Sequence, residues 1–318
     1  LNVSGTPQAG QSAGAVEDYT TNQKITGPVL LTAPAADDYE LIDAGNGQKL
    51  ERFGRYRLVR PEPQAIWAPA LPLDVWNRAD AQFRRTRHDD SPGEWVQNQP
   101  LPEQWLLHYD NLRLWVRLTP FRHTGVFPEH TAHWEWMRRQ LAAGERQPRV
   151  LVLFGYTGLS TLFAAQLGAR VCHVDASRPA VRWAQANQEA SDLQERPIRW
   201  IIDDVMKFVR REIRRGSHYD MIIMDPPVFG RGPKGEIWRL GEALPELLTL
   251  CTSILSTQPV GVLVNAYATN FSSIALYNTL AAVMHSYSGN VSAGELALRD
   301  TTAQRLLPTA LYARWSST

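Results

Sequence analysis

Residues 149–170 read RVLVLFGYTGLSTLFAAQLGAR, an apolar run that breaks into a glycine turn and restarts at once as a helix. Residues 150–154 are too short and too uniformly apolar for anything but a strand buried on both faces, as a parallel sheet requires. Gly155 and Gly158 are expected to let the backbone approach a ligand with no side chain between. From Leu159 the apolar residues recur at Leu162, Phe163 and Leu167, a helical spacing whose first amides face back toward the turn. A second strand, residues 170–174, ends in Asp175, where an acid can take both hydroxyls of a ribose. Strand, glycine turn, helix, strand and acid form an adenosine-binding order.

A dinucleotide fingerprint would need G-x-G-x-x-G so that a pyrophosphate can lie on the helix N-terminus. Here Phe154-Gly155-Tyr156-Thr157-Gly158 carries a single G-x-x-G, which a purely structural strand-to-helix turn would also explain. A second landmark, residues 219–235, YDMIIMDPPVFGRGPKG, decides between the two. Residues 221–224 form another fully apolar strand, with Asp225 at its carboxyl end, where open α/β sheets place their ligands. Pro226 and Pro227 stop both sheet and helix and stiffen the backbone, leaving the carbonyls before them exposed. Phe229 offers a ring face, and Gly230, Gly232 and Gly235 loosen the chain beyond it. An acid, two carbonyls and an aromatic plate suit a flat base bearing an amino group.

At these residues the chain resembles class I S-adenosylmethionine-dependent methyltransferases, specifically the bacterial 23S ribosomal RNA (large-subunit) methyltransferases and their relatives. Their first motif reads like N-L-F-x-Y-T-G, similar to Leu153-Phe154-Gly155-Tyr156-Thr157-Gly158. Their fourth reads like D-P-P-K/S-F-G-R-G, similar to residues 225–232 except at Val228, which lacks the polar or cationic group of relatives. An upstream T-G-x-F-x-x-Q/H element is matched by Thr124, Gly125, Phe127 and His130. The resemblance covers residues 119–318 and implies a Rossmann-like, doubly wound α/β sheet of seven strands with one reversed. It also implies S-adenosyl-L-methionine as cofactor. Phe154, Gly155, Tyr156, Thr157 and Gly158 would surround its methionine and ribose, and Asp175 would hold the ribose hydroxyls. Asp204, or Asp203 if the third strand ends earlier, would bind the adenine amino group. Thr124, Phe127 and His130 would close over cofactor or base. Asn187 matches a recurrent family position, though a solvated helix residue would explain it as well.

A sulfonium methyl is already electrophilic, so alignment supplies most of the catalysis. For an amino nitrogen on a base, Asp225 and the Pro226 carbonyl would accept its hydrogens and steer its lone pair, with Phe229 stacking a flipped-out target. A pyrimidine C5 target would instead need a cysteine thiolate. Relatives that make 5-methylcytosine carry it just after the fifth strand, and here residues 263–268 have none; Cys172 and Cys251 read as buried core. The expected function is therefore methylation of a base nitrogen in ribosomal RNA. The alternatives are a small-molecule or protein methyltransferase, a non-catalytic RNA-binding factor, and a nicotinamide-dependent oxidoreductase, which lacks the third glycine and leaves Asp225-Pro226-Pro227 unexplained.

The 318 residues carry a formal net charge of +1 and 44% hydrophobic content, an ordinary globular composition with no general affinity for polyanions. Positive charge is clustered at residues 84–88, 138–139, 210–211 and 214–215. All but the first fall on expected helices; the first is the candidate RNA contact. His123, His130 and His133 lack completing ligands, so no metal is expected. No apolar run approaches a membrane span, and no signal segment is recognised, so the expected location is cytoplasmic. Residues 1–36 read as a poorly ordered tail. Residues 37–118 read as a small β-rich domain, with short alternating runs, a turn at Gly45-Asn46-Gly47 and a hairpin about Asp110-Asn111. Its Trp67, Trp76, Trp95, Trp105 and Trp115 read as core rather than base-stacking platforms. Residues 119–318 alternate strand and helix, with a final antiparallel edge pair at residues 291–298 and 310–315.

Overall fold

The computed structural model describes residues 27–84, 93–142, 146–267 and 270–317. Most of the arginine cluster at 84–88 lies outside them, as do residues 1–26 of the expected tail. The first described strand is β1 (Val29–Thr32). A β-rich region follows: β2 (Tyr39–Gly45), β3 (Gln48–Phe53), β4 (Tyr56–Pro61), the short α1 (Leu73–Asn77), β5 (Ala81–Arg84), β6 (Glu94–Gln97), β7 (Trp105–Tyr109) and β8 (Leu112–Val116). Strands β2 to β6 form one sheet in sequence order, and β7 pairs with β8. Asn46 and Gly47 turn β2 into β3 with φ of 51° and 74°, the left-handed pair that a two-residue hairpin demands. Trp76 and Trp105 are buried, while Trp67 and Trp95 pack against the core, as the sequence reading expects.

The second region runs α2 (Trp134–Ala142), β9 (Arg149–Leu153), α3 (Leu159–Gln166), β10 (Arg170–Asp175), α4 (Arg178–Ala190), β11 (Ile198–Ile202), α5 (Val205–Arg214) and β12 (Met221–Met224). Then come β13 (Phe229–Arg231), β14 (Ile237–Arg239), α6 (Leu240–Thr252), β15 (Gly261–Ala266), α7 (Ser273–Met284), β16 (Asn290–Arg299) and β17 (Leu306–Ser316). The main sheet has the order β1-β16-β17-β15-β12-β9-β10-β11. Its central pairs are parallel, whereas β17 runs antiparallel to both β15 and β16.

Seven of these strands match the expected sheet, and β1 is an eighth, drawn from the stretch read as tail and paired parallel to β16. Four residues give no periodicity to read, and backbone pairing with a strand some 260 residues away fixes them. Consequently β16 and β17 pair as expected but do not form the edge. The loosened chain expected after Phe229 is the β13–β14 hairpin.

Along β9, Val150 and Val152 face one apolar cluster and Leu151 and Leu153 the other, so the strand is buried on both sides. The first cluster also takes in Phe53, Leu107 and Leu114, so the β-rich region packs directly on that side of the main sheet. Strand order reverses between β9 and β12. The segments leaving their carboxyl ends, the glycine turn and Asp225-Pro226-Pro227, therefore diverge around a crevice.

Candidate active site

The glycine turn is held in an unusual shape. Phe154 and Tyr156 both adopt left-handed backbone, with φ of 56° and 48°, and Gly158 follows at 89°. Non-glycine residues rarely sit there, and such strain concentrates at ligand sites. The kink aims the Tyr156 amide at Asp175, whose Oδ2 accepts it at 2.8 Å while Oδ1 accepts the Ser177 amide at 2.8 Å.

The two glycines act differently from the sequence expectation. A Cβ on Gly155 would lie 2.4 Å from the His173 ring, and one on Gly158 would lie 3.0 Å from the Ala184 Cβ. Both directions are filled by protein, so these glycines permit strand and helix packing and the turn's shape rather than leaving space for a ligand. Asn187, fully buried, donates to the Thr157 carbonyl at 2.9 Å and accepts the Trp115 amide at 2.8 Å, stitching the turn to β8. It is not a solvated helix residue.

A cleft of about 470 Å³ opens over these strand ends, within the range of small-molecule sites. Its walls include Phe127, Phe154, Tyr156, Asp175, Asp204, Asp225, Pro226 and Pro227. Asp204 also caps α5, its Oδ1 accepting the Lys207 amide at 3.0 Å. Asp203 is engaged by Arg211 at 2.6 Å and does not line the cleft, so of the two carboxylates Asp204 is the one available.

Asp225 stands at the centre of this wall. Burial, reinforced by the charges of Glu129 and Asp175 and opposed by His130, holds its carboxyl up at about 6. Its Oδ2 lies 3.5 Å from His130 Nε2, and its Oδ1 is buried with no partner among the described residues. Behind it, the Tyr267 hydroxyl sits 2.8 Å from His130 Nε2 and donates to Glu129 Oε1 at 2.9 Å. Burial lowers His130 and raises Glu129 and Tyr267, in each case disfavouring the charged form. Phe127 stacks on His130 with centroids 5.7 Å apart, closing this wall.

Sequence reasoning missed Glu129 and Tyr267. Glu129 adjoins His130 in the quoted upstream element, and Tyr267 follows the fifth parallel strand, the position inspected for cysteine. The β-rich region reaches the same wall. Arg60 on β4, held in a bidentate pair by Glu51, donates to the Arg122 carbonyl at 3.1 Å, anchoring the loop that leads to Phe127.

The proline segment differs in detail from expectation. The Pro227 carbonyl accepts Trp238 Nε1 at 2.7 Å, and the Trp238 ring packs on Phe154 with centroids 4.8 Å apart. Phe229, expected to stack the target base, is 53% exposed on the outer side of β13 and does not line the cleft. Trp238 takes the inner place.

A family profile described as S-adenosylmethionine-dependent methyltransferase matches residues 56–261. The chain belongs to that family. The methyltransferase is 27% identical over 207 residues to ribosomal RNA large subunit methyltransferase K of Neisseria meningitidis serogroup B, covering 63% of this chain and 56% of that protein. Over 171 residues it is 32% identical to the K/L enzyme of Syntrophotalea carbinolica, covering 53% of this chain and 22% of the relative. The chain thus spans about half or less of the curated relatives it matches. Among solved structures, a SAM-dependent methyltransferase from Agrobacterium tumefaciens superposes with a TM-score of 0.88 at 45% identity, covering 92% of this chain and 94% of that one. A Streptococcus mutans structure shares the fold at a TM-score of 0.67 and 17% identity.

The methyltransferase's cleft fits S-adenosylmethionine on its own residues. Asp175, Asp204 and Asp225 give the cleft an acidic lining that suits a cationic ligand bearing hydroxyls and an amino group. Bound there, the cofactor supplies an electrophilic methyl carbon. Both cysteines lie in the apolar core with thiols pushed up, Cys172 to about 11 and Cys251 to about 12, and neither lines the cleft. Among the described residues no group of side chains could hold a metal ion, and no helix is long and apolar enough to cross a membrane.

Proposed function

We propose that this methyltransferase transfers its methyl group to a base nitrogen of an RNA, ribosomal RNA first among them, in the cytoplasm. The observation that carries the reading is Asp225: a desolvated carboxyl in the cleft wall with one oxygen still seeking a donor, next to the Pro226 carbonyl. An exocyclic amino group satisfies both acceptors, and its lone pair is then directed away from them. When that nitrogen gains a carbon it must lose a proton, and a carboxyl held at about 6 takes one near neutral pH better than an ordinary aspartate. Asp175 holds the ribose hydroxyls and Asp204 the adenine amino group, while Phe127 and His130 bound the pocket between cofactor and base. Thiolate addition to a pyrimidine has no residue to perform it, since both thiols are buried away from the cleft. The RNA assignment draws on the names of the curated relatives. Residues 37–118 would form a separate β-rich unit that buttresses the loop at Arg122.

The test is mass spectrometry of ribosomal RNA from a strain lacking the gene against its parent, joined to Asp225→Ala. The variant is expected to abolish transfer and to leave S-adenosylhomocysteine affinity within a few-fold. Equal loss of both would move Asp225 to the cofactor side, and an unchanged RNA modification profile would point to a small-molecule or protein substrate.

A further inference from the structure

The cleft is acidic within and basic at its lip. Asp175, Asp204 and Asp225 line its floor while Arg122 and Arg231 stand at its edge, so a phosphodiester is repelled by the carboxylates inside and attracted to the arginines at the lip. The phosphates beside an inserted base must rest on the rim.

The β13–β14 hairpin forms one side of that rim. Strand alternation puts Gly230 and the buried Trp238 on its inner face and exposes Phe229, Arg231, Ile237 and Arg239, Arg231 standing at the edge where it also lines the cleft. Register pairs Phe229 with Arg239 and Arg231 with Ile237, so each apolar side chain sits across from a guanidinium. Phe229 and Ile237 are large apolar side chains 53% and 62% exposed. Exposure does not mean looseness, because Trp238 Nε1 bonds the Pro227 carbonyl and the Leu240 amide bonds the Val228 carbonyl at 3.0 Å. Arg239 has one ion pair, to exposed Glu242 at 3.5 Å, of the weak surface kind that a phosphate can replace. Phe121, 58% exposed, stands beside Arg122 and His123, which line the cleft, and repeats the pairing of ring and guanidinium.

We propose that the outer face of this hairpin, with Phe121, grips the unpaired nucleotides flanking the methylated one in a single-stranded RNA. Phe229 stacks a neighbouring base, and Arg231 and Arg239 hold the phosphates around it. A ring alternating with planar cations matches the chemistry of a single strand, whose bases present flat faces and whose linkages present charge at regular intervals. The placement of these arginines at the lip of the cleft, where phosphates flanking an inserted base must lie, favours a nucleic-acid strand over a protein. The inference rests on the RNA reading of the cleft and deepens it.

The experiment is fluorescence anisotropy of a short fluorescein-labelled single-stranded RNA of mixed sequence, titrated with the full chain at several salt concentrations, beside calorimetry with S-adenosylhomocysteine. Phe229→Ala should weaken RNA binding roughly five- to one-hundred-fold, the usual yield of one stacked base, while Phe229→Tyr retains it. Arg231→Ala and Arg239→Ala should each flatten the dependence of log affinity on log salt by about 0.7. S-adenosylhomocysteine affinity should hold in the Phe229 and Arg239 variants, whose side chains do not line the cleft. If the wild type binds RNA and none of these variants alters affinity or salt slope, the grip is elsewhere while the RNA reading stands. If neither the oligonucleotide nor extracted ribosomal RNA binds, both fall. Should Phe229→Ala lose S-adenosylhomocysteine too, the tyrosine and arginine variants decide the matter. Apolar-patch binding to a protein would show as RNA affinity indifferent to the arginines.

Discussion

Replacing Asp225 with asparagine should make the protein more stable while abolishing transfer. The carboxyl is held at about 6 against an ordinary value of 3.8, with burial the leading cause. At about 1.4 kcal/mol per pH unit, that rise corresponds to a ceiling of about 3 kcal/mol by which the ionised side chain weighs against the folded state above pH 6. With 22% of the side chain exposed, some hydration survives, and the asparagine inherits a buried oxygen without a partner. A gain of about 1 to 2 kcal/mol is therefore expected at pH 8. The sign follows from proton counts: between pH 4 and 6 the folded state holds the proton that the unfolded chain has released, so wild-type stability falls as pH rises through that window. Below about pH 4 both states are protonated and the advantage of asparagine should vanish. Urea denaturation of both proteins, without cofactor, at pH 4.5, 6 and 8 measures this, with a midpoint difference of roughly half a molar at the top of the range. An equal difference at every pH, or none at pH 8, would show that Asp225 is not desolvated and would remove the basis for its taking a proton during transfer.

Two further substitutions probe the turn. Asp175→Ala removes the acceptor of the Tyr156 and Ser177 amides together with the proposed ribose contact, so calorimetry should find S-adenosylhomocysteine bound roughly ten- to one-hundred-fold more weakly; a change within two-fold would place the ribose elsewhere. Gly155→Ala should destabilise by about 1 to 3 kcal/mol, because His173 is buried, hydrogen-bonded to Thr161 at 2.8 Å and packed on Trp200, and cannot swing aside. An unchanged urea midpoint would contradict that, and His173→Ala in the same chain should recover part of the loss.

What could be read locally was read well. The strand and helix on either side of Gly155 announce themselves because β9 is apolar on both faces and α3 repeats at helical spacing. Trp76 and Trp105 join Phe53, Leu58 and Leu107 inside the β-rich region, as large apolar side chains in a small domain do, whereas Trp115, also expected in the core, is only half-buried. Features fixed by distant partners were invisible. β1 has four residues and exists because β16 offers an unpaired edge. The β13–β14 hairpin hides among glycines and prolines that suggest a loose loop, and α7 went unremarked. Tyr267 and Glu129 are separated by 138 positions, so no spacing rule could have joined them. Even the glycines, correctly picked out, owe their identity to His173 and Ala184 on neighbouring elements rather than to a ligand.

That wall also explains why Asp225 can be perturbed and still remain a usable acid. A lone carboxyl buried beside Glu129 and Asp175 would simply stay protonated, since like charges and desolvation push the same way. His130 opposes that rise, and its Nε2 is shared with the Tyr267 hydroxyl, which in turn reaches Glu129. The imidazole is thus held in place by a tyrosine rather than by Asp225 itself, at 3.5 Å instead of in a tight pair. A closer contact would strengthen that opposition, whereas at 3.5 Å burial remains the leading influence on the carboxyl. The spacing is set by the elements that carry the three residues: the 3-10 helix of residues 128–133 before α2, the exit of β12 and the exit of β15.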